Sequence, residues 1–121
     1  MGEFAQPDRS ERDRDLERLG ALLDRARVQR QTLTYLEVAD ALDMPGPRRI
    51  HKTTRLLEIL LKRDAEAGRP LRAALATSRV NRGLPARGFF DRAQRLGLFD
   101  GGDPAAFHAR LLDELFADRA S

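Results

Sequence analysis

Residues 32–60 read TLTYLEVADALDMPGPRRIHKTTRLLEIL, and the way this stretch breaks decides the fold. Thr34 stands before a helical run, and Glu37 follows it at the spacing of a capping box, in which each side chain satisfies the other's backbone N–H. Val38, Ala39 and Leu42 then recur at helical spacing, which predicts a short helix over residues 35–42. Met44-Pro45-Gly46-Pro47 ends that helix, because proline cannot continue it and disfavours helical geometry in the residue before. Pro47 in turn suits the first turn of a second helix, over residues 47–67. At about 100° per residue, Ile50, Thr53, Leu57, Leu60 and Leu61 share one side of it. Arg48, Lys52, Arg55 and Lys62 gather on the opposite side, with Ile59 among them.

Outward from this centre the chain stays mostly helical. Leu16, Leu19, Leu22, Leu23 and Ala26 predict an amphipathic helix over residues 8–30, with Ser10 as its cap. Thr32, Leu33 and Thr34 form a β-prone step. Residues 71–80, LRAALATSRV, lie between Gly68-Arg69-Pro70 and Asn81-Arg82-Gly83, and we read them as a strand leading into a turn. Residues 88–96 read as a helix with Phe89, Phe90, Ala93 and Leu96 inward. Asp103 and Pro104 are the cap and first position of a last helix, with Phe107, Leu111, Leu112, Leu115 and Phe116 on its apolar face. His108, beside them, reads as a surface or boundary residue.

The 121 residues fit one domain, with residues 1–8 expected to be disordered and residues 32–90 carrying the motif. The chain has no Cys, which excludes thiolate chemistry, disulfides and Cys-based metal sites. Its two His, His51 and His108, have no metal-binding spacing, and no cofactor is implied. No apolar run approaches the ~20 residues that span a bilayer, and the polar N-terminus does not read as a signal peptide. A cytoplasmic, bacterial protein is the expectation, and the preference for Arg over Lys, with many Ala, suggests a GC-rich genome.

The net charge of +3 conceals an uneven distribution. Residues 46–57 hold Arg48, Arg49, Lys52 and Arg55 with no acid. Residues 67–90 hold Arg69, Arg72, Arg79, Arg82 and Arg87, again with no acid. A basic surface without acids suits phosphates. Helix, Pro-Gly turn and basic helix together give the helix-turn-helix outline, in which the second helix lies in or along a DNA groove.

The spacing also resembles the winged-helix domain of the alkylguanine-DNA alkyltransferases and alkyltransferase-like proteins. Thr34-Tyr35, then Val38-Ala39, Pro45 and Arg49 keep that family's intervals. Residues 70–80, PLRAALATSRV, run in frame with its strand and acceptor motif, followed by Gly83 and Gly88. The resemblance covers residues 33–88. It implies a mostly α winged-helix domain with a short β element, flanked here by N- and C-terminal helices. It further implies that Tyr35 sits near a phosphate, that Arg49 enters the duplex in place of a flipped base, and that Arg48 and Lys52 line the groove. Thr77 and Ser78 stand where the family has its acceptor Cys and its His. A Thr hydroxyl with no base beside it does not replace a thiolate nucleophile.

The expectation is therefore a non-catalytic protein binding double-stranded DNA through Tyr35, Arg48, Arg49, Lys52, Arg55, Arg79, Arg82 and Arg87. A regulator and a sensor of altered DNA are both open. The rival reading is a protein-interaction adaptor on the same scaffold, with a partner or a second copy docking through the terminal helices.

Overall fold

The computed structural model describes residues 7–117; the expected disorder of residues 1–8 lies outside it except at its last two positions, which are helical. The first helix, α1, spans Pro7–Val28. Ser10 lies inside it rather than capping it. Leu16, Leu19, Leu23 and Ala26 are buried along one stripe. The helix ends through Arg30 in the left-handed region, with the Gln31 N–H donating back to the Ala26 carbonyl.

Strand β1, Leu33–Thr34, leads straight into α2, Tyr35–Ala41. The capping box is present: the Glu37 N–H donates to Thr34 Oγ1 at 3.1 Å, and the Thr34 N–H donates to Glu37 Oε1 at 2.8 Å. Helix α3 spans Arg49–Glu66 and buries Thr53, Leu56, Leu57, Leu60, Leu61 and Asp64. It starts two residues later than expected. Arg48 is its N-cap and takes a left-handed conformation, so Arg48 does not share the helical face of Lys52 and Arg55. Ile50, expected inside, is 41% exposed because it lies in the first turn, at the edge of the core. Ile59 is half-buried and packs against the core from the basic side.

The strand expected over residues 71–80 is largely absent. A 3₁₀ turn, Arg72–Leu75, comes first; β2 is only Ala76–Thr77; a second 3₁₀ turn, Arg79–Asn81, follows. The cause is local. The Arg72 N–H and guanidinium both donate to the Asp64 carboxylate, which holds the chain against α3 where a strand would leave it. Small Ala73, Ala74 and Ala76 allow close approach, and all are buried. β2 pairs in parallel with β1, Leu33 opposite Ala76 and Thr34 opposite Thr77.

Helix α4 spans Arg87–Arg95 and α5 spans Pro104–Ala117. Asp103 caps α5 through the Ala105 N–H at 3.0 Å, as its sequence predicts. Phe89, Phe90, Phe99 and Phe107 meet edge-on, tilted or stacked at centroid separations of 4.5–6.4 Å. The buried residues form one hydrophobic cluster. Its centre is the Arg72–Leu75 turn, on which α1, α3 and α5 all pack. The terminal helices thus close over the motif rather than hanging from it. The protein is mostly helical with one two-stranded sheet among the described residues. No described helix is long and apolar enough to cross a membrane.

Candidate nucleic-acid interface

The outer ridge of α3 carries His51, Lys52, Arg55, Glu58 and Lys62, because these fall opposite the buried stripe at about 100° per residue. The two ends of the ridge differ. Toward the C-terminus the cations are matched: Arg92 of α4 binds Glu58 at 3.0 Å, and Lys62 approaches Glu66 at 4.0 Å. Toward the N-terminus Arg48, His51 and Arg55 are exposed with no ion pair among the described residues. Lys52 reaches only the Pro45 carbonyl, at 3.2 Å. Positive charge thus concentrates at the end of α3 where the helix dipole is itself positive. Glu11 and Asp15 of α1 line the same cleft, of about 420 Å³, as Lys52 and Arg55. The basic stretch is acid-free in sequence but has two acids across the cleft in space.

Arg49 faces the other way. Its Nε donates to the Met44 carbonyl at 2.7 Å, and its Nη2 meets Asp40 Oδ1 at 2.7 Å. It braces the connection between α2 and α3. Tyr35 is also engaged. Its hydroxyl accepts the Ala86 N–H at 2.7 Å, and burial pushes its phenol up from the ordinary value. The ring lines a nearly filled cleft with Thr54, Leu57 and Glu58 of α3. Tyr35 therefore ties the root of the turn after β2 to the flank of α3.

That turn carries the second set of cations. Arg79, Arg82 and Arg87 are exposed and have no ion pair among the described residues. Arg69 and Arg72, counted with them in the sequence, do not belong to this surface. Arg72 binds Asp64 at 2.8 Å and Asp24 at 3.3 Å, and Arg69 lies 3.7 Å from Asp64. Asp64 is 0% exposed, and the contact with it raises the Arg72 pKa. This cluster staples α1 and α3 to the central turn.

Thr77 and Ser78 are engaged within the fold. Thr77 is buried in β2, and its hydroxyl donates to the Leu33 carbonyl at 3.5 Å. The Ser78 N–H donates to the Leu84 carbonyl at 2.7 Å in an antiparallel bridge. His108 is 5% exposed, not a surface residue: a ring nitrogen lies 2.9 Å from the Ala74 carbonyl, and burial lowers its pKa. The sequence placed it beside Phe107 on an amphipathic helix but held no sign of the turn that covers it. No group of three or more potential metal ligands occurs among the described residues.

Comparison with protein-family models, curated proteins and solved structures returns no match for this chain.

Proposed function

We propose that this chain is a non-catalytic protein that binds duplex DNA on a winged-helix scaffold, alkyltransferase-like in outline. It grips phosphates through Arg48, Lys52 and Arg55 at the start of α3 and through Arg79, Arg82 and Arg87 after β2. The observation that carries the reading is the grouping of unpaired cations in the two acid-free stretches. Arg49, Arg69 and Arg72 of those stretches are paired with acids, whereas these six reach solvent without an ion pair among the described residues. Tyr35 joins the two groups from within and keeps the turn beside α3. Arg49 serves the fold as a brace, so Arg48, Lys52 and Arg55 take the contacts with DNA.

Affinity then comes mostly from displaced counterions. Six neutralised phosphates give a slope of log K on log salt of about −5. The test is a fluorescence-anisotropy titration with plain duplex, alkylated duplex and single strand at several salt concentrations. Lys52→Glu with Arg55→Glu, checked for folding by circular dichroism, is expected to abolish duplex binding. A folded double variant that binds with unchanged affinity and slope would sink the reading. Preference for the alkylated duplex marks a sensor; preference for particular sequences marks a regulator.

A further inference from the structure

The most exposed large apolar side chain among the described residues is Val80, at 97%. Single exposed apolar residues are ordinary on protein surfaces. Val80 differs from Val28, Leu36 and Ile50, the other exposed ones, in what holds it and what surrounds it. Those three lie on helices or at a helix end. Val80 stands in the middle of the Arg79–Asn81 turn, between two exposed arginines, Arg79 and Arg82.

The backbone under it is heavily tied. The Ser78 carbonyl accepts the N–H groups of Asn81 and Gly83, both at 3.1 Å, and the Leu84 N–H donates to the Asn81 carbonyl at 3.0 Å. The Asn81 side chain donates to the Pro85 carbonyl at 2.6 Å, and Ala86 is fixed to Tyr35. Arg82 and Gly83 are both in the left-handed region, at φ 59° and 79°, which turns the chain sharply back. In a 3₁₀ turn successive side chains point about 120° apart. With Asn81 anchored to the turn's own backbone, Arg79 and Val80 are left facing solvent. Val is β-branched and nearly fixed at χ1, so it loses little freedom when something closes around it.

We propose that Val80 is an apolar wedge that enters the minor groove of bound duplex and opens a base step, with Arg79 and Arg82 on the flanking phosphates. This rests on the duplex-binding reading above and names the residue that deforms the DNA. Minor-groove binders frequently combine basic side chains with an apolar wedge between base steps; here the cations would hold the two backbones while the side chain meets the apolar base faces. Arg79, Arg82 and Arg87 around the tip are exposed with no ion pair among the described residues, which favours a polyanion over an acidic or neutral protein surface as the occupant.

The experiment uses the full chain and duplexes carrying 2-aminopurine at TA and CA steps, which unstack most readily. Binding of the wild type is expected to raise the 2-aminopurine fluorescence. Val80→Ala is expected to abolish that rise and weaken binding about tenfold, the value of two buried methyl groups, with the salt slope unchanged. Val80→Leu should retain the rise. Arg82→Ala should instead lower the salt slope by about one unit. Val80 is too exposed for these substitutions to disturb folding, and circular dichroism checks this. A wild type that binds duplex without a fluorescence rise overturns the wedge alone, as does a Val80→Ala variant that matches the wild type. A wild type that binds no duplex at low salt overturns the duplex-binding reading itself.

Discussion

Truncating Arg49 to Ala separates a brace from a DNA contact. The side chain makes two bonds, to the Met44 carbonyl and to Asp40, both at 2.7 Å. The Met44 bond is part-buried and charge-assisted, a class worth about 1.5–3 kcal/mol. The Asp40 pair is exposed on its acidic side, so it contributes within the ~0.2–1 kcal/mol of surface pairs. Arg49→Ala should therefore lower stability by about 2 kcal/mol, or on the order of 8 °C in Tm for a domain of this size. Arg55→Ala removes no such bond and should leave Tm within about 1 °C, since surface changes usually fall within ~0.5 kcal/mol. The assay is thermal and urea denaturation of both variants followed by circular dichroism at 222 nm, with Asp40→Ala as a third variant. Asp40→Ala should recover only the smaller, ion-pair share of the loss. In the anisotropy titration the order reverses: Arg55→Ala weakens duplex binding and flattens the salt slope by about one unit, while folded Arg49→Ala keeps the slope. An Arg49→Ala variant with unchanged Tm, or one that loses preference for altered duplex while Arg55→Ala does not, would refute the brace and return Arg49 to the base stack.

Three further outcomes follow from the interior. Asp64→Ala strands the half-buried Arg72 guanidinium and should cost about 3 kcal/mol in urea denaturation, whereas Asp24→Ala, at the exposed end of the cluster, should cost less than about 1 kcal/mol; equal losses would contradict the central role of Asp64. Burial holds the His108 pKa below 6.5 while the unfolded chain keeps the ordinary value, so the unfolded state takes up the proton first. The contribution of His108 is thus complete above pH ~6.5 and declines as pH falls below it; the urea midpoint should drop between pH 7.5 and 5.5, and His108→Gln should flatten that decline. Incubation with an alkylated oligonucleotide should leave the intact mass unchanged, and a stoichiometric gain on Thr77 or Ser78 would contradict the non-catalytic reading.

Some of this was legible before folding. The Thr34–Glu37 capping box and the Asp103 cap lie within a few residues of the groups they satisfy, so the local sequence contains the whole interaction. The stripes of α1, α3 and α5 are likewise written in the spacing of Leu and Phe, because burial on a helix repeats with its own turn. The paired β1 and β2 were only half legible: Thr32-Leu33-Thr34 pointed to a strand, but the length of its partner depended on how Arg72 is held.

The sequence by itself therefore determined the helices of the described residues and most of their apolar stripes, the break between α2 and α3, and the positions of the cations. Only the tertiary structure decided which cations remain available. Asp64 lies eight residues from Arg72 and Asp24 forty-eight, yet one guanidinium touches both. That contact withdraws Arg72 from a stretch that looks uniformly basic in one dimension. The same applies to Arg49 against Asp40. Likewise only the fold brings Glu11 and Asp15 to the cleft that Lys52 lines, and His108 beneath the Ala74 carbonyl. Charge along a chain counts residues, but a charge's partners are set by distance through space. Hydrogen bonds act only at contact and Coulombic energies between exposed charges are screened beyond about 10 Å, so the available cations emerge only when the helices have packed.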